Sequence, residues 1–514
     1  MFNDHQNQQQ EFEVGNFMLE EINFDPFHQP TQQFQETITT WPKNHNHKLS
    51  SIPTKPLQNN ISLSSLEILR NHGTRFMKNI TNTKKTSLDN EQEKVSAEGI
   101  IRVAGTRYAQ KYSSHWNDGF SIPTHPYGFD QWNFSEEENK DVELSQFLFA
   151  AAEKVSFQQF ERAKKLLFYC QWNSSATGNS VQRIVFHFSQ ALLERIEKET
   201  RRFTKGSLKN EESELLRKMD LNKSLLCHIK IPFNQVMQFI GIQAIVEHVV
   251  YDTRIHLIDL DIKSGVQCIA LMQALIERQD FMVEIFKVTA VGLNSCKNKI
   301  EETGKNLASF AESLKLPFLY KCVLVEDMME IKEVDFEIEE NEAVAVYSPY
   351  FLRSLISRQD CMENLMRVLR YIKPSIMIIL EMEASHNSPS FVNRFMEALF
   401  FYSAFFDVVE TCMKEEDDCR MMTEAILSAG IRNIVGAEGR ERNVRNVKID
   451  VWRRFFARYR MVESGFSEAC VYQGELVAKE FVYGKFCNVE KNGKCLILGW
   501  KGTPMHSISA WRFL

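Results

Sequence analysis

The sequence predicts an α/β fold: a Rossmann-like (methyltransferase-like) parallel sheet core with an N-terminal helical cap, preceded by a largely disordered leader. Three observations predict it. Near-continuous apolar runs of strand length lie at residues 255–260, 286–291, 343–347 and 376–380, as strands buried on both faces require. Helix-length stretches at 267–277, 299–314 and 352–369 separate them, and strands alternating with helices build a parallel sheet covered on both sides. Before Tyr251 the apolar spacing is helical only.

That helical section starts at Leu144, where Leu144, Phe147, Leu148, Ala151, Ala152 and Val155 recur on one face and Ala163, Leu166, Leu167 and Cys170 continue the pattern. Further amphipathic helices are expected at 181–197, with Ile184, Phe188, Ala191 and Leu192 on one face, and at 234–250. The expected division is therefore a leader at 1–140 and a domain at 141–514, with a cap at 141–250 and an α/β core at 251–514. The leader is rich in Gln, Asn, His, Ser and Thr, a composition that buries too little apolar surface to offset the entropy of ordering. Within it, 11–14 (EFEV) and 17–25 (FMLEEINFD) interleave acids with large apolar residues, suiting docking onto hydrophobic grooves. A helix is expected at 97–110, packed on the domain. Segments 476–483 and 496–500 read as a hairpin that adds antiparallel edge strands.

With 44% hydrophobic and 25% charged residues over 514 positions, the composition is that of a globular protein. A net charge of −6 argues against retention on nucleic acid by bulk positive charge. No basic segment followed by an apolar run opens the chain, and no stretch approaches the ~20 apolar residues needed to span a bilayer, so an intracellular protein with no membrane partner is expected. Eleven cysteines occur without a C-x-x-C pair, and neither Cys412 with Cys419 nor Cys487 with Cys495 has histidines at zinc-site spacing. They are expected as reduced, mostly buried thiols, with no metal centre.

The first strand and its turn, residues 255–267, sit where a doubly wound fold places its nucleotide or S-adenosylmethionine loop. Close backbone approach to a cofactor uses several glycines there, whereas only Gly265 is present, behind Lys263 and Ser264. After the second strand, 288–294 (VTAVGLN) offers no acid for a ribose. No cofactor and no catalytic residue is assigned. Asp259 reads either as a ligand to a cofactor or partner or as an acid that caps the turn through backbone N–H groups; His256, flanked by Ile255, Leu257 and Ile258, reads as a satisfied core histidine.

From Arg440 to Arg460, Arg442, Arg445, Arg453, Arg454 and Arg458 belong to the strongest local basic bias in the chain. On a helix Trp452, Phe455, Phe456 and Tyr459 share one face and Arg454 and Arg458 the other, so the aromatics read as core. The arginines read as a solvated face or as a surface for DNA or a partner.

These residues also carry a resemblance. Ile255-His256-Leu257-Ile258-Asp259 with Gly265 and Gln267 resembles the VHIID motif of the GRAS family of plant transcriptional regulators. Residues 148–170 and 181–196 resemble its first leucine-rich stretch, 302–314 its second, and 391–407 its PFYRE region. Trp500 with Ser509-Ala510-Trp511 is similar to the closing SAW motif. Residues 100–108 (IIRVAGTRY) and 151–160 (AAEKVSFQQF) look like the DELLA-like branch, but its N-terminal Asp-Glu-Leu-Leu-Ala run does not occur in the leader, so hormone-triggered degradation is not expected. The resemblance implies an α/β core with a helical cap, nuclear residence, and control of transcription through zinc-finger-type DNA-binding factors and other GRAS proteins as homo- or heterodimers, with direct DNA contact in some members. Lys84-Lys85 and Arg201-Arg202 are too short to serve as a nuclear address, so localisation rests on the resemblance. Cys268 and Ile269 replace the family's Trp and Pro, and 441–447 (ERNVRNV) lacks two acids and a histidine of the family's Glu-Arg-x-Glu-Arg-His-Glu. The alternative reading is an S-adenosylmethionine-dependent methyltransferase or other small-ligand protein using the Asp259–Gly265 turn.

Overall fold

Helical periodicity and capping residues set out the first part of the chain in the computed structural model, which describes residues 95–113, 134–200, 227–278 and 280–514. Helix α1 spans Ala97–Ser113, α2 Glu136–Ser156, α3 Phe160–Trp172 and α4 Ser180–Glu199. Ser135 and Asn179 open α2 and α4 with reciprocal capping boxes to Glu138 and Gln182, satisfying N–H groups that a helix end leaves unpaired. Helix α5 is Pro232–His248, begun by a proline at its first position. Both acid-and-apolar segments of the leader, with Lys84-Lys85 and Arg201-Arg202, lie outside the described residues.

The α/β part alternates as expected: β1 Arg254–Asp259, α6 Val266–Ile276, β2 Ile285–Leu293, α7 Lys297–Ser313, β3 Phe318–Val325, β4 Ala343–Pro349, α8 Leu352–Leu355, α9 Gln359–Ile372, β5 Ile376–Met382. Then follow α10 Phe391–Cys412, α11 Asp417–Ile431, α12 Ile449–Arg458, β6 Met461–Ser464, α13 Glu468–Glu480, β7 Cys487–Asn492, β8 Cys495–Trp500 and β9 Thr503–Phe513. Among the described residues one sheet runs β3-β2-β1-β4-β5-β9-β8-β7, with β6 also paired to β9. Strands β3 to β5 are mutually parallel, with Leu257 between Val288 and Ala345. Strands β6 to β9 are antiparallel to their neighbours. The order 3-2-1-4-5 is that of a doubly wound Rossmann-like sheet.

The sheet divides two apolar cores. Ile255 and Leu257 join one with the cap, α5, α6, α7 and α10; Ile258 joins the other with α9 and with Trp452 and Phe456 of α12. One expectation changes and one strand is added. Residues 476–483 are no strand: Ser467 caps a helix whose Cys470, Val471, Gly474 and Ala478 are buried, and Gly474 packs against Ile240 of α5. Strand β3 was not singled out, because its outer residues at the sheet edge break the apolar run with Lys321. Helix α1 belongs to the main core, with Ile101 and Val103 wholly inside, and Arg102 bonds Glu98 and Thr503 Oγ1 (3.0 Å), tying it to β9. Truncating Ile101 to Ala should therefore lower the stability of the full chain by about 2–4 kcal/mol in denaturant unfolding; a change within the scatter of surface substitutions would mean that α1 is not part of the cooperative unit.

Candidate functional site

In an open α/β sheet the ligand crevice lies outside the carboxyl ends of the strands, at the switch between β1 and β4. Here Asp259 ends β1 fully buried. Its Oδ1 accepts the Asp261 N–H (3.0 Å) and its Oδ2 the Gln267 amide (2.8 Å), which also donates to Ile262 O (3.1 Å). The carboxylate thus pins both ends of its own turn. Lys263 and Gly265 hold positive φ of 46° and 69°, and Thr303 of α7 donates to Lys263 O at 2.7 Å. A Cβ on Gly265 would lie 3.0 Å from Thr303 and 3.1 Å from Leu307. The glycine makes room for the packing of α7 against the turn. At the end of β2, the space over Gly292 is filled by Ile300.

His256 sits wholly inside β1, with Nε2 2.7 Å from the Thr289 hydroxyl and Nδ1 3.1 Å from Glu342. Lys287 Nζ lies 3.5 Å from the same carboxylate and donates to Glu337 O. Burial, with Lys287 nearby, pulls the His256 pKa down to about 3, so the imidazole is neutral and links β1, β2 and the approach to β4. The SAW residues are equally internal. Trp500 Nε1 donates to Asp407 (2.7 Å), which also receives Lys501 Nζ (2.8 Å). Trp511 Nε1 donates to Ser509 Oγ (2.9 Å) and the ring packs on Phe456; Ala510 is buried beside them.

The basic segment does not form one surface. Arg442 is buried, with Nη1 on His386 O (3.3 Å) and Nη2 on Asn387 Oδ1 (3.4 Å); that corrects its reading as an outward contact. Arg445, half-buried, donates to Asn387 Oδ1 (3.1 Å) and Gly439 O (2.9 Å). Arg453 is a strut held by Asp450 (2.9 Å), Glu463 (3.2 Å) and Asn492 (2.9 Å). Only Arg454 and Arg458 of the five are exposed. Val444 and Val447, standing where the family pattern has acids, place no carboxylate beside Arg442 and Arg445.

Periodicity did not reveal the buried polar groups at the cap–core junction. Arg394 of α10 is wholly buried and pairs with Glu438; a charge within an apolar helix was the one local sign. After α11 a π-helical turn, Arg432–Gly436, sends the Asn433 amide to Val444 O (2.6 Å). A cavity of about 60 Å³ there is lined by Arg353, Phe401, Tyr402, Asn433 and Asn446 among others, room for water rather than for a ligand of the usual pocket size of ~300 Å³ or more. Among the described residues there is no group of three or more His, Cys, Asp or Glu that could hold a metal ion, and no helix long and apolar enough to cross a membrane. The cysteines are free thiols, most of them buried.

Burial raises Asp259 to about 7, against the two hydrogen bonds that favour its charge, and raises Glu381 at the end of β5 to about 7. A carboxyl whose folded pKa is raised gives its full stabilisation below its ordinary value, here 3.8 for Asp259, and loses it as pH rises through about 7. In thermal unfolding across pH, Asp259→Asn should therefore flatten the decline over that window relative to the parent; parallel profiles would show that Asp259 is not the titrating group.

The family model of the GRAS domain family matches residues 144–512. The chain is 29% identical over 388 residues to DELLA protein GAI1 of Vitis vinifera, covering 73% of this chain and 63% of that one. With GRAS family protein RAD1 of Medicago truncatula it shares 28% identity over 387 residues, 72% of either chain. With DELLA protein RGA2 of Brassica campestris it shares 28% over 381 residues, again spanning under two thirds (64%) of that relative. The crystal structure of SCL7 of Oryza sativa superposes with a TM-score of 0.61 at 23% identity, covering 72% of this chain and 99% of that one, and so shares the fold. Because the family model takes in well over half of the sequence, from the cap to the SAW strands, the chain belongs to the GRAS domain family.

Proposed function

We propose that this chain is a plant transcriptional regulator, resident in the nucleus, that works by binding zinc-finger-type transcription factors and other GRAS proteins, as homo- or heterodimer, rather than by catalysis. The observation that carries the reading is the closed first turn. Asp259 spends both oxygens on Asp261 and Gln267, and Gly265 is hemmed in by α7, so the usual nucleotide position is given over to the chain's own side chains. Family membership supports a regulator, and the acid-and-apolar leader segments suit recruitment of coactivators.

A protein partner is also supported by the outer face of α3. Phe168 and Trp172 are 67% and 81% exposed and stack at 6.4 Å beside Tyr169, an apolar patch of the kind that marks interaction sites. Double replacement, Phe168→Asp with Trp172→Asp, should abolish self-association or capture of a second GRAS protein in sedimentation while leaving the unfolding midpoint within the range of surface changes. Unchanged association would remove α3 from the interface.

Calorimetric titration of the full chain with S-adenosylmethionine, beside DNA binding with and without a zinc-finger partner over a salt series, tests the function itself. Retention on DNA only with the partner, and no cofactor heat, is the expected result. Tight cofactor binding would overturn it in favour of a methyltransferase. Salt-sensitive binding by the chain alone, lost in Arg454→Gln with Arg458→Gln, would make it a DNA reader in its own right.

A further inference from the structure

Where the cap meets the loop after β5, four arginines gather around two carboxylates that pair with only two of them. Arg195 pairs with Glu199 (2.8 Å) and Glu438 (2.9 Å), and Arg394 reaches the same Glu438. Arg442 and Arg445 stand beside them with no carboxylate among the described residues within ion-pair distance. They donate only to neutral acceptors: His386 O, Asn387 Oδ1 and Gly439 O. Three of those four bonds, at 3.1–3.4 Å, are longer than the ~2.7–2.9 Å of a charge-assisted pair. The Nε atoms of Arg394, Arg442 and Arg445 are buried and have no partner. Burial first, then the charges of Arg394 and Arg445, pulls the Arg442 pKa down to about 10.

Buried guanidiniums that repel one another are costly unless an anion joins them. The surplus here is two positive charges, carried on planar donors that suit tetrahedral oxyanions. The cluster borders the surface, because Glu438 is half exposed (51%) and Arg445 and Asn387 are partly exposed. Glu438 already occupies one edge of the cluster as an internal carboxylate.

We infer that Arg394, Arg442 and Arg445 form a binding site for a phosphate dianion, free or as a monoester, which enters between Asn387 and Glu438 and takes the unpartnered guanidinium donors. A dianion matches the surplus charge, whereas a phosphodiester carries one charge and is flanked by chain on both sides, so nucleic acid is the poorer fit. The site is independent of the cofactor turn and of the aromatic face of α3, and would let the regulator recognise a phosphorylated side chain.

The test is calorimetric titration of the full chain with inorganic phosphate and with phenyl phosphate at constant ionic strength. Saturable binding of one equivalent is expected, weakening for phenyl phosphate as pH falls through about 6, where a monoester's second proton returns, and for inorganic phosphate at a higher pH. Tighter binding of phenyl phosphate identifies an esterified source, and tighter binding of inorganic phosphate a free one. Arg445→Gln, at the rim, should weaken binding by about tenfold, the effect of losing one charged hydrogen bond. Glu438→Gln should strengthen it by removing the competing carboxylate, an effect that a purely structural role for the cluster would not produce. No heat from either phosphate, affinities untouched by both variants, or binding of duplex DNA at this cluster by a chain that ignores both phosphates would overturn the assignment.

Discussion

A sheet covered on both faces leaves its polar side chains no water, so each must find its partner within the protein or remain a cost. Most of the chain's informative residues answer that constraint. Asp259 turns back on its own loop, and His256 closes a path from Thr289 to Glu342 and Lys287 across the parallel strands. Trp500 finds Asp407 on α10, and Arg183 of α4 finds Glu424 of α11 at 2.8 Å. These pairs do little for net stability by themselves, since burying charges costs about as much as pairing them returns. They fix which surfaces meet: cap helix α4 to α11, α10 to the last hairpin, β1 to its turn.

The same constraint sets what the motif residues are for. A sequence motif at the end of the first strand of a Rossmann-like sheet invites a cofactor reading, yet each of its polar groups is committed to the fold. Just past the end of β4, Tyr350 holds a positive φ of 60° and its hydroxyl lies 3.0 Å from His506 Nδ1. A bulky residue in that backbone region is strained and persists only where its surroundings hold it. Here the holding contacts come from three sides: the Tyr350 N–H donates to Leu380 O of β5 (2.8 Å), its carbonyl accepts from Arg353 Nε (3.1 Å), and its hydroxyl meets His506 of β9.

How much of this was legible in the sequence follows from the range of each signal. Strands β1, β2, β4 and β5 are near-continuous apolar runs because they are covered on both sides, and they were read to within a few residues. Edge strand β3 alternates imperfectly and β9 is interrupted by polar Ser507 and Ser509, so neither announced itself. Residues 476–483 carry Val, Phe and Tyr, which suit a strand, but the cap at Ser467 and the packing of Gly474 on Ile240 decide for a helix, a tertiary contact outranking local propensity. The turn-capping alternative for Asp259 was legible because its partners, Asp261 and Gln267, lie a few residues away; flanking apolar residues marked His256 as internal, but its partners Thr289 and Glu342 come from distant segments and were not legible.

The arginines show the limit of that range. Counted along the chain, Arg442, Arg445, Arg453, Arg454 and Arg458 look like one basic stripe, since periodicity places charge on an outer face and carries no information on distant partners. In space they separate according to what lies across from them: Glu463 and Asn492 immobilise Arg453, and Arg454 and Arg458 lie exposed on the outer face of α12. The loop after β5 draws Arg442 and Arg445 inward beside Arg394 and Arg195, from elements far apart in sequence. A fold that seals its ordinary ligand crevice with its own side chains has thus kept an unneutralised buried charge elsewhere, at the junction of cap and core. Since a buried guanidinium without a counter-charge lowers stability, its presence there points to an anion supplied from outside the chain.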